Sequence, residues 1–297
     1  MKRAVFFLCC FMMCLLALPA TAIEIEDIAG NVLKVPPYPR RIVSLAPSIT
    51  ECLFSIGCGD RVVGVTLFSD YPPQVKKLPR VGSYIQPNIE KILALRPDLC
   101  LATKDGNPRS LVMKLKEVGV DVFVVDPRDI DSLFDTMLVL GRLTGCYIKA
   151  LEVVNRLKKQ VKEVEKRSRT FFRHPRVFFQ IGVDPMVTVG SHTLIDNLIT
   201  LAGGINIFSG RFSYPRVSVE QVIARQPDII VITSMVNSRP NLQRLKEFWF
   251  QYGEIPAVKK GNIFVVNSDY FNRPSPRAVE GLRILSKLFE KVMESRK

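Results

Sequence analysis

The 297 residues hold only two histidines, His174 and His192. Neither has a partner at HxxH or HExxH spacing, so a transition-metal site and a metalloprotease base both lack their ligands. No GxSxG elbow, Walker loop or GxGxxG fingerprint occurs, which removes the usual scaffolds for nucleophilic hydrolysis, phosphoryl transfer and dinucleotide redox chemistry. The residues with recognition chemistry gather instead in four loops: Phe68-Ser69-Asp70-Tyr71-Pro72-Pro73, Gly82-Ser83-Tyr84, Arg211-Phe212-Ser213-Tyr214-Pro215 and Ser268-Asp269-Tyr270-Phe271-Asn272-Arg273-Pro274. Aromatic faces with a few carboxylate, amide and guanidinium groups suit noncovalent capture of a large, partly apolar solute. Phe68, Tyr84, Tyr214, Asp269, Tyr270, Phe271, Asn272 and Arg273 are therefore the candidate ligand residues. The competing reading makes each aromatic a loop anchor buried in its own half. The set as a whole favours a shared cleft.

Those loops need elements to carry them, and the pattern supplies strand and helix in alternation. Residues 41–45 form a short apolar strand. Pro47 and Ser48 open a helix through Phe54 that ends at Gly57. Strands follow at 62–65, 99–102 and 122–125, with helices at 88–95, capped by Asn88, and at 109–118. Wholly apolar strands such as Leu99-Cys100-Leu101-Ala102 predict a parallel sheet covered on both faces. The plan restarts at Arg176 with a strand over 177–181, a helix opened by Ser191 that runs to Leu201, and a last strand at 263–266. Asn88 to Asp98 aligns without gaps on Ser218 to Asp228 at a constant offset of 130, each copy carrying a cap, a first-turn acid, an apolar stripe and a Pro-Asp stop. This is an internal duplication. In open α/β sheets solutes bind beyond the strand carboxyl ends, where all four loops fall.

The duplicated acids are Glu90 and Glu220. By spacing alone they read as helix-dipole residues, worth about 0.3–1 kcal/mol each. Between the halves, 130–169 is free of proline and carries helical periodicity, with Gly141 and Gly145 as possible interruptions. It predicts a stiff helical connector rather than a flexible linker. The expected bounds are a lobe at 23–128, a connector at 129–170 and a lobe at 171–297.

The first 22 residues read as a cleavable signal peptide: Lys2 and Arg3, an apolar run to about Leu18, then Ala20-Thr21-Ala22. Cys14 follows Met13 rather than a small residue, which argues against a lipoprotein. Loss of Lys2 and Arg3 lowers the net charge from +14 to +12. The basic residues are scattered, and export from the cytoplasm also counts against nucleic acid as a partner. Cys52, Cys58, Cys100 and Cys146 remain. An oxidising compartment permits a disulfide, three pairings of four cysteines are possible, and simple buried thiols are nearly as good a reading.

At Ser69-Asp70-Tyr71-Pro72-Pro73-Gln74, Gly203-Gly204-Ile205-Asn206-Ile207-Phe208, residues 217–225 and residues 268–277, the chain resembles the periplasmic cobalamin- and iron-chelate-binding proteins of ABC importers. The likeness spans about residues 40–290. It implies two Rossmann-like lobes joined by a single long α-helix, no catalysis and no resident cofactor. It also implies a corrinoid, or alternatively haem or a ferric siderophore, in a cleft lined by Phe68, Tyr84, Tyr214 and Asp269 to Arg273. Glu90 and Glu220 would dock on arginines of the membrane permease, and the free protein would be a periplasmic monomer. The chain departs from the cobalamin pattern where Tyr84 and Tyr214 replace tryptophans, Phe68 replaces tyrosine, and Thr103-Lys104 replaces a third tryptophan wall. An exported enzyme or assembly factor on the same scaffold is the reading from another class.

Overall fold

The computed structural model describes residues 23–294 except Ala29, Asn31, 36–37, Arg211 and 235–238. The expected signal peptide lies outside the described residues. A short antiparallel hairpin, β1 (Ile23–Glu26) and β2 (Val32–Val35), precedes the first lobe. Four strands then form a wholly parallel sheet: β3 (Ile42–Ser44), β4 (Val62–Val65), β5 (Leu99–Thr103) and β6 (Val122–Val125), in the order β4-β3-β5-β6. Helices α1 (Pro47–Ser55), α2 (Ile89–Ala94) and α3 (Arg109–Glu117) make the crossovers. Leu99, Cys100, Leu101 and Ala102 are all fully buried, because helices cover both faces of the sheet.

The second lobe repeats the plan. Strand β7 (Arg176–Val183) pairs in parallel with β10 (Ile229–Ser234), which pairs in parallel with β11 (Ile263–Asn267). The other edge of β7 is shared by antiparallel β8 (Met186–Thr188) and parallel β9 (Ile205–Asn206). Taken as β9-β7-β10-β11, the parallel order matches that of the first lobe.

The duplicated segment folds alike in detail. Helix α7 (Val219–Arg225) is the counterpart of α2, capped by Ser218 as α2 is by Asn88. Arg96 and Gln226, 130 apart, close the two helices with left-handed φ values of 46° and 44°. The acid of the Pro-Asp stop has a structural task. Asp98 accepts hydrogen bonds from the Arg40 and Arg41 amides at 2.7 and 2.9 Å, and Asp228 accepts from the Arg176 amide at 3.0 Å. In return Arg41 donates to the carbonyl of Leu95 and Arg176 to that of Arg225, at the carboxyl ends of α2 and α7. Each first strand is thereby tied to the foot of the duplicated helix, satisfying carbonyls that a helix end leaves open.

Two expectations need correction. The helix expected from Ser191 starts three residues later as α6 (Leu194–Leu201), because the Thr193 hydroxyl, not Ser191, accepts from the Asp196 amide; Ser191 pairs with Ser209. The stretch expected as one long helix is two: α4 (Ile130–Leu143) and α5 (Tyr147–Ser168), broken at Gly145, whose φ is +69°. The two pack side by side, so only α5 is a lobe-to-lobe rod. Its N-cap Cys146 is bonded to Cys58 of the first lobe, and its last residue Ser168 abuts Gly203 of the second. Twenty-two residues span about 33 Å. Cys52 and Cys100 are buried free thiols, and burial pushes the Cys100 thiol up to about 12.

One apolar core runs without interruption from Ile42 and Leu53, through Phe134, Met137, Val154 and Leu157 of the paired helices, to Val177 and Phe179. The lobes therefore share a core on one side and open only on the other. The remaining elements, α8 (Arg239–Phe250), α9 (Pro256–Lys259) and α10 (Ala278–Glu294), complete the cover of the second sheet.

The Cys58–Cys146 bond closes a loop of 88 residues. Loop-closure entropy assigns such a bond roughly 4–5 kcal/mol, and measured losses run about 2–5 kcal/mol. Replacing both cysteines by serine should lower stability by that amount in urea unfolding. A reductant should destabilise the wild type equally and leave the double variant unmoved.

Candidate functional site

Where the carboxyl ends of the two sheets face each other, a cavity of about 700 Å³ opens between the lobes. The first lobe lines it with the start of α1 (Ala46, Pro47, Ser48), with Phe68, Tyr84 and Ile85, and with the loop ends Thr103, Asp105, Gly106, Asp126, Pro127 and Arg128. The second lobe contributes Ile181, His192 to Ile195, Tyr214, and Ser268, Asp269, Phe271, Asn272, Arg273 and Pro274. Pseudo-equivalent helix starts, α1 and α6, thus face the same space from both sides.

Three aromatic residues expected at the cleft are there, each half-exposed: Phe68 (57 %), Tyr84 (37 %) and Tyr214 (53 %). Tyr84 is held by Asn107, which is buried and bridges two segments. Its amide nitrogen donates to the Tyr84 carbonyl at 2.7 Å and the Leu45 carbonyl at 3.0 Å, while its oxygen accepts from the Thr103 amide. Gly106 lies under the Tyr84 ring, where an added Cβ would meet ring carbon at 3.0 Å. In the second lobe Gly190 lets the loop before Tyr214 approach, since a Cβ there would overlap the Phe212 carbonyl. Partial burial, then the charge of Asp105 across the cleft, raises the Tyr214 phenol above its ordinary value.

The loop after β11 is the most heavily wired part of the site. Its first residues form a 3-10 turn, Ser268–Tyr270, which turns Ser268 and Asp269 to the cavity and Tyr270 away from it. Arg273 crosses to the first lobe: Nη1 donates to Glu51 Oε1 at 3.0 Å and Asp70 Oδ1 at 2.8 Å, and Nη2 to the Phe68 carbonyl at 3.3 Å. Nη2 also pairs with Asp269 at 3.0 Å. Arg277 reaches the same Glu51 oxygen at 3.2 Å, and the Ser275 hydroxyl donates to the other at 2.6 Å. The Arg277 guanidinium lies between the rings of Tyr71 and Tyr270, 4.5 and 4.8 Å from their centroids. Glu51 is 3 % exposed in the middle of α1. Burial pushes its carboxyl up from the ordinary 4.5, against the opposing pull of Ser275, Arg273 and Arg277.

These contacts give three of the expected residues partners within the protein. Tyr270 does not line the cavity; its ring serves Arg277. Phe271 reaches the cavity wall but is 1 % exposed, packed on Phe179 at 5.4 Å, and is a loop anchor. Arg273 lines the cavity with both terminal nitrogens already committed, because a buried Glu51 demands a counter-charge. Asp269 and Asn272 do face the cavity. Glu90 and Glu220 lie outside it, exposed in the first turns of α2 and α7. The Ser218 hydroxyl holds the Glu220 carboxyl below its usual range.

Several site residues carried no recognised signal. Glu51 is one acid in the buried run Ile49 to Leu53, and that misfit of charge in an apolar stripe was the available clue. Asn107 looked like any turn residue. Asp126 and Arg128 share the loop after β6 and are bonded at 2.9 Å, while Asp105 comes from the loop after β5 and meets Arg128 only in the fold, at 2.8 Å. Among the described residues no group of three or more His, Cys, Asp or Glu is arranged to hold a metal ion. No described helix is long and apolar enough to cross a membrane.

Comparison with known proteins places this geometry among relatives. Residues 42–270 match the family model described as periplasmic binding protein. The vitamin B12-binding protein of Yersinia pestis (strain Pestoides F) is 35 % identical over 240 residues, 80 % of this chain and 82 % of that one. The crystal structure of the periplasmic vitamin B12-binding protein of Vibrio cholerae superposes with a TM-score of 0.77 at 29 % identity, covering 86 % of this chain and 98 % of that one. The periplasmic heme-binding protein of Roseiflexus sp. RS-1 gives a TM-score of 0.76 at 25 % identity, covering 86 % and 99 %.

Removing one partner of a buried ion pair costs about 3–5 kcal/mol. Glu51→Ala should therefore lose that much in urea unfolding at pH 7, and Glu51→Gln, which keeps the shape, should lose less. A loss below about 1 kcal/mol for the alanine variant would show that the network does not hold the lobes. A folded carboxyl raised above its unfolded value contributes most below about pH 4.5 and loses that contribution as pH rises through the folded value. The stability gap between wild type and Glu51→Gln should accordingly narrow from pH 4.5 upward.

Proposed function

The chain belongs to the periplasmic binding protein family, and from that premise we propose that it captures a cobalamin-type corrinoid and delivers it to the membrane permease of an ABC importer. The observation that carries the proposal is the interlobe cavity of about 700 Å³ walled by Phe68, Tyr84 and Tyr214. A flat macrocycle has two faces to cover, and rings from both lobes can cover them. Asp269 and Asn272 offer polar contacts, while Arg273, Phe271 and Tyr270 hold their loop in place. The named activity of the Yersinia and Vibrio relatives supports the same solute.

Capture and release need no covalent step, so the chain acts as a binding subunit, not an enzyme. It works in the periplasm as a monomer until it docks. The lobes at 23–128 and 171–297 close on the solute about the connector at 129–170. Shared core and cross-lobe ion pairs keep that closure small. Glu90 and Glu220, displayed at equivalent places on the two lobes, engage arginines on the two halves of a permease dimer. Haem is the second reading, favoured by His192 on the cavity wall and by the heme-binding relative, since imidazole is a good iron ligand.

Calorimetry with cyanocobalamin should give a Kd below about 10 μM, a free energy of about −7 kcal/mol. Weaker binding, together with tight binding of haemin, would transfer the assignment to haem. Tyr84→Ala and Tyr214→Ala should each cost roughly tenfold, about 1.4 kcal/mol, with folding unchanged. Glu90→Arg with Glu220→Arg should abolish transport while leaving solute affinity intact; transport that survives the double change would leave both acids as helix-dipole residues.

A further inference from the structure

A strongly basic chain would be expected to offer a cationic cleft, and the cavity is the opposite. Its lining holds three carboxylates, Asp105, Asp126 and Asp269, against two guanidiniums, Arg128 and Arg273. Neither guanidinium is free. Arg128 is consumed by Asp126 and Asp105, and Arg273 by Glu51, Asp70 and Asp269. No lysine belongs to the lining among the described residues. A chain of net charge +14 thus presents its solute with a wall of net charge −1 and no unpaired cation.

The donors that remain are neutral. The Ser48 hydroxyl lines the cavity at the start of α1, is 7 % exposed, and has no hydrogen-bond partner among the described residues. The helix behind it opens on Ala46 and Pro47 and has no side-chain cap. Carboxylates that accept on one side and neutral donors on the other match a group that donates and accepts while carrying no charge.

We propose that the cavity selects by charge: it takes a bulky neutral or cationic chelate bearing primary carboxamides, and it rejects chelates whose rim carries carboxylates. Amide N–H groups would donate to Asp105, Asp126 or Asp269, and amide carbonyls would accept from Ser48. A carboxylate in the same place would meet like charge with no free guanidinium to receive it, a juxtaposition that costs affinity steeply. This rests on the binding reading above and deepens it, since a corrinoid rim is built of carboxamides and a haem rim carries two propionates.

The test holds shape constant and varies charge. Cyanocobalamin, its monocarboxylate derivative with one propionamide hydrolysed, haemin and a cationic ferric hydroxamate are titrated against the full mature chain at low and physiological salt. Neutral cobalamin should bind at least about tenfold tighter than the monocarboxylate. Asp105→Asn with Asp126→Asn, which frees Arg128, should narrow that gap and weaken its salt dependence. Equal affinity for the two cobalamins would overturn charge selection while leaving the corrinoid function standing. Tight haemin binding without cobalamin binding would overturn both. Failure of every corrinoid and of haemin, with retention of a cationic ferric hydroxamate, would remove the corrinoid reading and keep the charge rule.

Discussion

A single buried carboxylate organises the binding side of this molecule. Glu51 sits in the first helix of the first lobe, where water cannot solvate it, and every group that satisfies it comes from the second lobe. A charge placed so deeply is tolerated only with close counter-charges and filled hydrogen bonds. Arg273, Ser275 and Arg277 meet that demand, and in doing so bring the loop after β11 against the first lobe. Arg273 then reaches the Phe68 carbonyl and Asp70, so one cation sets the position of both walls. The rings of Tyr71 and Tyr270 both stack near the Arg277 guanidinium, 4.5 and 4.8 Å from it.

This network has a counterpart on the far side of the molecule. There the lobes are joined by apolar packing through α4 and α5, and the disulfide fixes the N-terminus of α5 to the first lobe. An ionic fastening and a hydrophobic one therefore bracket the cavity. Directional ion pairs resist sliding of the lobes, while the apolar seam resists separation. The same ion pairs occupy both terminal nitrogens of Arg273, which lines the cavity beside Asp105, Asp126 and Asp269.

The duplicated plan has a physical logic of its own. In each lobe an Asp accepts from the start of the first strand, and an Arg on that strand returns to the carbonyls ending the duplicated helix. The Pro-Asp stop and the arginine opening the strand are two halves of one contact.

Much of this was legible in the residues themselves. Wholly apolar strands such as 99–102 and 122–125 can only be buried on two faces. Caps at Asn88 and Ser218 and glycine stops act within a few residues, so period and punctuation determined the strand and helix order, the duplication and the loops that reach the cleft. Local rules also failed locally: Gly145 split the connector, and Thr193 took the cap expected of Ser191. What only the tertiary structure decided are pairings between residues far apart in the chain. The Cys58–Cys146 bond, the reach of Arg128 to Asp105 and the Glu51–Arg273 contact across 222 residues depend on how strands, helices and the two lobes pack. The types at 269–273 marked a polar and aromatic loop; whether each side chain faced cavity, core or counter-ion was decided by a buried charge elsewhere, which no spacing within that loop encodes.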